Sequence, residues 1–170
     1  LNRKRRNALK QRKLEKPSLK KVEIYTDGSW KRGIGAGGWS AMLIYWPHWK
    51  LITSSEAPTT ISRMELLAVI NALENLTEPC EVKLVSDSSY VVGCVNDWIR
   101  QWKRHGWVNH SGKPVANLDL IMRLHDLLEI HHVRATWVKA HTDRTDKHSN
   151  ANRIVDYFAQ KSADDHHNLD

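Results

Sequence analysis

"IYTDGSW", residues 24–30, decides how the rest of the chain is read. Ile24, Tyr25 and Thr26 favour a strand, whereas Asp27, Gly28 and Ser29 are turn formers. The stretch predicts a strand that ends on a carboxylate. Working outward, Val22, Ile24 and Thr26 alternate with Glu23, Tyr25 and Asp27, the period of a strand. "KRGIGAGG" at 31–38 reads as a glycine-rich turn, since it lacks the lysine pattern of a phosphate-binding loop and opens no helix. "WSAMLIY" (39–45) and "KLITSS" (50–55) then form an antiparallel pair around Pro47 and His48.

Further along, Leu66, Val69, Ile70, Leu73 and Leu76 make one apolar stripe, which predicts a helix over 63–76 with Ser62 as its N-cap. "EVKLVSD" (81–87) is a second strand that ends on aspartate, and "SSYVVGCVNDW" follows as a helix. Gly112 and Pro114 mark a turn, and Asn117 is placed to cap the helix "LDLIMRLHDLLEI". "VRATWVK" (133–139) is the last strand; a polar loop over 140–151 leads into a final helix, "NRIVDYFAQKSA". Strands and helices in this order predict an α/β class with a mixed sheet.

The totals set outer limits. With 170 residues and 41% apolar content, the chain suits one globular domain. No apolar run has the length of a membrane span or the form of a signal-peptide core, so the cytoplasm is the expected location, with nucleus or organelle left open. Cys80 and Cys94 form no CxxC pair and read as structural filler. A net charge of +7 favours a polyanionic partner. Residues 1–20 form a basic arm, with "RKRR" at 3–6 and "KQRK" at 10–13, broken by Pro17 and Ser18. It reads equally as a nucleic-acid clamp, a nuclear address or a solvated linker. A chain that begins with Leu1 rather than Met is expected to be a processed product or part of something longer.

Asp27 and Asp87 both close strands, and sites in α/β sheets form beyond the carboxyl ends of strands. Glu65 lies in the first turn of its helix, and Asp156 lies between Val155 and Tyr157 in the last one. Four such charges brought together would repel, and divalent cations with hard oxygen ligands relieve that. Each also has a plainer reading. Ser62-Arg63-Met64-Glu65 has the form of a capping box, Asp27 is a turn former, Asp87 an N-cap and Asp156 a surface residue. Spacing alone does not choose between these.

The motifs "YTDGS", "RMELLA", "SDSSYV", "WVKAH" and "NRIVDYFA", in this order, resemble those of type 1 ribonuclease H, closest to its bacterial form with a basic protrusion. The resemblance covers Val22 to about Ala163, within an expected catalytic domain at 21–164 followed by a tail at 165–170. It implies an RNase H-like fold, a five-stranded mixed sheet in the order 3-2-1-4-5. It implies an endonuclease that hydrolyses the RNA strand of RNA–DNA hybrids, leaving 5′-phosphate and 3′-hydroxyl ends. Asp27, Glu65, Asp87 and Asp156 would hold two Mg²⁺ ions, with Mn²⁺ able to substitute. His141 matches the family's mobile-loop histidine, which moves protons, and Asn152 matches the residue four before the last aspartate. Thr60 and Arg63 match the pocket for a DNA phosphate. "WIRQWKRHGW" matches the protrusion that grips DNA: Arg100, Lys103 and Arg104 for phosphates, Trp102 for sugars, Trp98 mainly for packing, and Trp107 following. A hybrid partner and a monomer follow from the same likeness.

Some positions depart from the family pattern. Gly33, Ile61 and Ser62 stand where asparagines are usual, Ser89 stands where glutamine is common, and Val155 replaces alanine. The first of these positions, with Ser89, contact the minor groove, so the grip on substrate is expected to differ. The loop after His141 is longer than usual. Other classes remain open: a hybrid-binding module without activity, the RNase H domain of a reverse-transcriptase polyprotein, or a recombinase of related fold.

Overall fold

Alternation along the first strand is used on both of its faces. β1 spans Lys20–Lys31; Val22 and Ile24 are buried toward one side and Tyr25 toward the other. The computed structural model describes residues 18–140 and 142–167. β1 does not turn at Asp27. It continues because β2 (Ala36–Tyr45) pairs with it antiparallel that far, with Asp27 opposite Ser40 and Gly28 opposite Trp39. On its other side, parallel pairing with β4 (Cys80–Ser86) ends at Thr26 opposite Ser86. Asp27 thus sits where one of the two partners leaves.

The glycine-rich turn is correspondingly shorter than 31–38. Arg32 to Gly35 turn, with Gly35 at φ +70°, while Gly37 and Gly38 belong to β2. β3 (His48–Glu56) pairs antiparallel with β2, and β5 (His132–Trp137) pairs parallel with β4. The sheet order is β3-β2-β1-β4-β5.

α1 (Ile61–Glu74) starts earlier than the sequence predicts because its N-cap is Thr60, not Ser62. The Thr60 hydroxyl accepts the Arg63 N–H at 3.4 Å from an extended backbone. Leu66, Val69, Ile70 and Leu73 are buried as the stripe requires. α4 (Leu118–Ile130) joins α1 on the face of the sheet that carries Val22, Ile24, Leu43, Val82 and Leu84. Asn117 does precede α4, but at φ +54° its side chain makes no capping bond.

The helix expected at 88–98 divides into α2 (Ser89–Gly93) and a π-helical turn (Cys94–Trp98), and runs on beyond the expected end as α3 (Ile99–Arg104). The π turn presents Asn96, whose amide donates to the Ala135 carbonyl at 2.8 Å and accepts its N–H at 3.0 Å. One side chain so satisfies the edge of β5. α5 (Lys147–His167) begins well before Asn152, because Asp146 accepts the His148 and Ser149 N–H groups and caps it. It reaches residues 165–167, into the expected tail. α5 lays Ala151 and Val155 on Tyr25, Met42 and Val85, on the face opposite α1. Cys80 and Cys94 are buried free thiols.

Candidate active site

Three elements converge at the end of the β1–β4 pair. Asp27 shares a face of β1 with Tyr25, the face covered by α5, and is only 8% exposed. Opposite it in β2, the buried Ser40 hydroxyl donates to the Val155 carbonyl at 2.6 Å. That bond ties the turn of α5 that carries Asp156 to the strand beside Asp27. On the other face, α1 reaches Glu65 because Gly28 has no side chain: a Cβ there would lie 2.6 Å from the Glu65 nitrogen. Gly28 is therefore a close-approach glycine rather than a turn former. The capping-box reading of Glu65 falls with Thr60 as the N-cap.

Asp87 follows β4 directly and is held from two directions. The Asn152 amide donates to its carboxylate at 2.9 Å, and the Trp137 indole N–H donates to its backbone carbonyl at 2.9 Å. Ser88, not Asp87, caps α2, accepting the Val91 N–H; its hydroxyl also donates to Glu65 Oε2 at 2.5 Å. Asp156 accepts from the Gln160 amide at 2.7 Å.

The four carboxylates form a chain of electrostatic neighbours. Burial above all, then the charges of Asp87 and Asp156 and a hydrogen bond with Asp156, push the Asp27 carboxyl far above the ordinary aspartate range. Burial also raises Glu65, with the Asp87 charge adding to it and the Ser88 hydroxyl opposing it. The cluster is open: among the described residues no three acidic, histidine or cysteine side chains are drawn close enough to enclose an ion. The donor set is nonetheless all carboxylate oxygen, and its mutual repulsion is what a hard divalent cation offsets.

The structure scatters the remaining predicted residues more widely. Thr60 is used as the α1 cap. The Arg63 guanidinium meets both Asp119 oxygens, at 3.1 and 3.0 Å, and Glu56 at 3.4 Å, holding the Asp119 carboxyl below its usual range. Ser89 is an exposed first residue of α2. Trp98 lies over Gly93 and meets the rings of Tyr90 and Trp102 at 6.1 and 6.0 Å. It is 38% exposed, whereas Trp102 and Trp107 are half-buried against the core. Arg100 and Arg104 are exposed, and Lys103 pairs with Glu129 at 3.8 Å. Asn152 is buried beside Asp87, and His141 lies outside the described residues. Ser40, Ser88 and Trp137 were not marked by the sequence; each acts through hydroxyl or indole bonds to residues distant in the chain.

The model of the RNase H family matches residues 19–164. The chain belongs to the RNase H family. A ribonuclease H of Erythrobacter litoralis is 45% identical over 149 residues, covering 86% of this chain and 98% of its own. One from Acetivibrio thermocellus is 48% identical over 126 residues, covering 74% and 86%. Among solved structures, LC9-RNase H1, described as a type 1 RNase H with the type 2 active-site motif, is similar with a TM-score of 0.75. It is 25% identical, with 89% of this chain and 75% of that one covered. The RNase H family depends on divalent metal ions, and the donor set here suits them.

Proposed function

We propose that Asp27, Glu65, Asp87 and Asp156 are the metal-holding set of an endonuclease that hydrolyses the RNA strand of RNA–DNA hybrids. The observation that carries this is the electrostatic chain from Glu65 through Asp87 and Asp27 to Asp156. Family membership supplies the reaction class, a hydrolase acting on the RNA of a hybrid. Two Mg²⁺ ions, with Mn²⁺ as substitute, would supply Lewis acidity to the attacking water and the leaving oxygen. The protein's own share is placement. Ser40 fixes the α5 turn beside Asp27, Ser88 orients Glu65, and Asn152 and Trp137 orient Asp87 from its two ends. His141 moves a proton during attack or product departure. Arg100, Lys103 and Arg104 grip DNA phosphates, with Trp98, Trp102 and Trp107 beside them. Thr60 and Arg63 hold a further phosphate once Arg63 exchanges its bonds to Asp119, and Ser89 faces the minor groove.

On this reading the enzyme works as a monomer in the cytoplasm, residues 21–164 are catalytic, and residues 1–20 add nucleic-acid affinity. No helix among the described residues is long and apolar enough to cross a membrane. The test is a labelled hybrid, with matched RNA–RNA and DNA–DNA duplexes, incubated with Mg²⁺ and with EDTA. Cleavage confined to the RNA of the hybrid, and only with metal, is expected. Binding without cleavage in either condition would refute the assignment.

A further inference from the structure

The far end of the sheet carries features that the catalytic cluster does not use. α5 packs over β1, β2 and β3 and reaches β4 at Val85, which leaves its side of β5 and of the first half of β4 open. A groove of about 1170 Å³ runs across that open face. Lys21, Lys83, Arg134 and Lys147 line it against two acidic residues, Glu23 and Glu81. Lys147 meets Glu23 at 2.5 Å and the Lys83 ammonium lies 3.3 Å from His148 Nε2, so Lys21 and Arg134 are the cations left to face Glu81. At one end, Thr136 adjoins Trp137, whose indole holds Asp87. Trp46, at the tip of the β2–β3 hairpin, also lines the groove.

Trp46 is 84% exposed and its hairpin neighbour Trp49 is 69% exposed. Beside this hairpin the Lys20 ammonium, paired with Glu78, lies 5.7 Å from the centre of the Tyr45 ring.

A cationic track with exposed indole faces beside it is the chemistry by which proteins hold unpaired polynucleotides: charge follows the backbone and rings stack on bases. A duplex offers no free base face to Trp46, whereas a single strand does. We propose that this groove, with Trp46 in its lining, is a second nucleic-acid site that takes a single-stranded polynucleotide. Along β5 the lining runs from His132 to Thr136, roughly 13 Å at about 3.3 Å per residue, and Thr136 pairs with Val85, two residues before Asp87. The groove's natural occupant is an unpaired extension of the strand whose duplex part lies at the carboxylates.

The test uses the full chain and a fluorescein-labelled oligo(dT) of twenty nucleotides, read by anisotropy at low salt. Trp46→Ala is expected to weaken binding about tenfold, within the range for one lost stacking partner. Arg134→Glu is expected to weaken it and to flatten its salt dependence. Both variants should cleave a blunt hybrid within about twofold of the parent chain, since neither lies in the catalytic cluster. A blunt hybrid made with 2′-O-methyl RNA, which cannot be cut, should leave the bound oligo(dT) in place. Unchanged affinity in both variants would overturn the proposal. So would failure of oligo(dT) to bind at all, which would assign this face to an acidic protein partner.

Discussion

At the scale of single residues, Asp27 carries the main electrostatic consequence. Its carboxyl is raised above its ordinary value by burial and by Asp87 and Asp156. In the unfolded chain an aspartate ionises near pH 4. Folding without metal therefore takes up a proton, and stability falls as pH rises from that value toward the raised one. Asp27→Asn removes the penalty. In EDTA at pH 8 the variant should melt higher than the parent by a few degrees, on the order of 2–4 °C per kcal/mol. The gap should close as pH falls toward 4, while cleavage is lost by at least about a hundredfold. Melting curves across pH and a hybrid assay check the two halves separately. Ser88 makes a second test. Ser88→Ala deprives Glu65 of its hydroxyl partner and should raise the Mg²⁺ concentration for half-maximal rate about tenfold. Ser88→Thr, which keeps the hydroxyl and can also cap α2, should restore it. The carboxylates were legible from sequence as motif positions. The hydroxyls that orient them were not, because a serine inside a strand or a loop has no local pattern that announces a partner such as Val155, 115 positions away.

At the scale of elements, sequence periodicity located every strand and long helix, and failed where boundaries depend on partners. β1 runs past Asp27 because β2 pairs with it there, a non-local cause that outweighs the turn preference of Asp-Gly-Ser. α5 begins at Lys147 because Asp146 caps it, inside a stretch polar enough to read as loop. The π-helical turn answers the open edge of β5, which no local signal in 94–98 reveals. Gly28 joins two elements to the site, and its substitution tests that joint. A Cβ at 28 meets backbone of α1 at 2.6 and 2.9 Å, which cannot swing aside. Gly28→Ala should cost about 1–3 kcal/mol in urea unfolding, with the slope unchanged, and should lower cleavage by displacing Glu65. Gly33→Ala, where a Cβ meets nothing within 4 Å, is the control. It should stay within about 0.5 kcal/mol of the parent. Equal costs at the two sites would remove the close-approach argument.

At the scale of the whole molecule, the net charge of +7 matters by where it sits. α3 presents Arg100 and Arg104 to solvent beside the exposed Trp98. Arg123, by contrast, is tied to both oxygens of Glu74 between α4 and α1, so its charge is already balanced. A protein that neutralises phosphates releases condensed counterions, and the logarithm of its affinity falls with the logarithm of salt by nearly one unit per contact. Replacing both Arg100 and Arg104 by Ala should therefore reduce the salt slope of hybrid binding by about 2. The rate at saturating substrate should hold, because in the proposed role these residues position the DNA strand and do not touch the reacting phosphate. Arg123→Ala should leave the slope unchanged. The measurement is the dissociation constant of an uncleavable hybrid at four or more salt concentrations for each variant. A change below about half a unit in the double variant would mean that α3 does not meet phosphates. The gripping role would then pass to other cations on the surface.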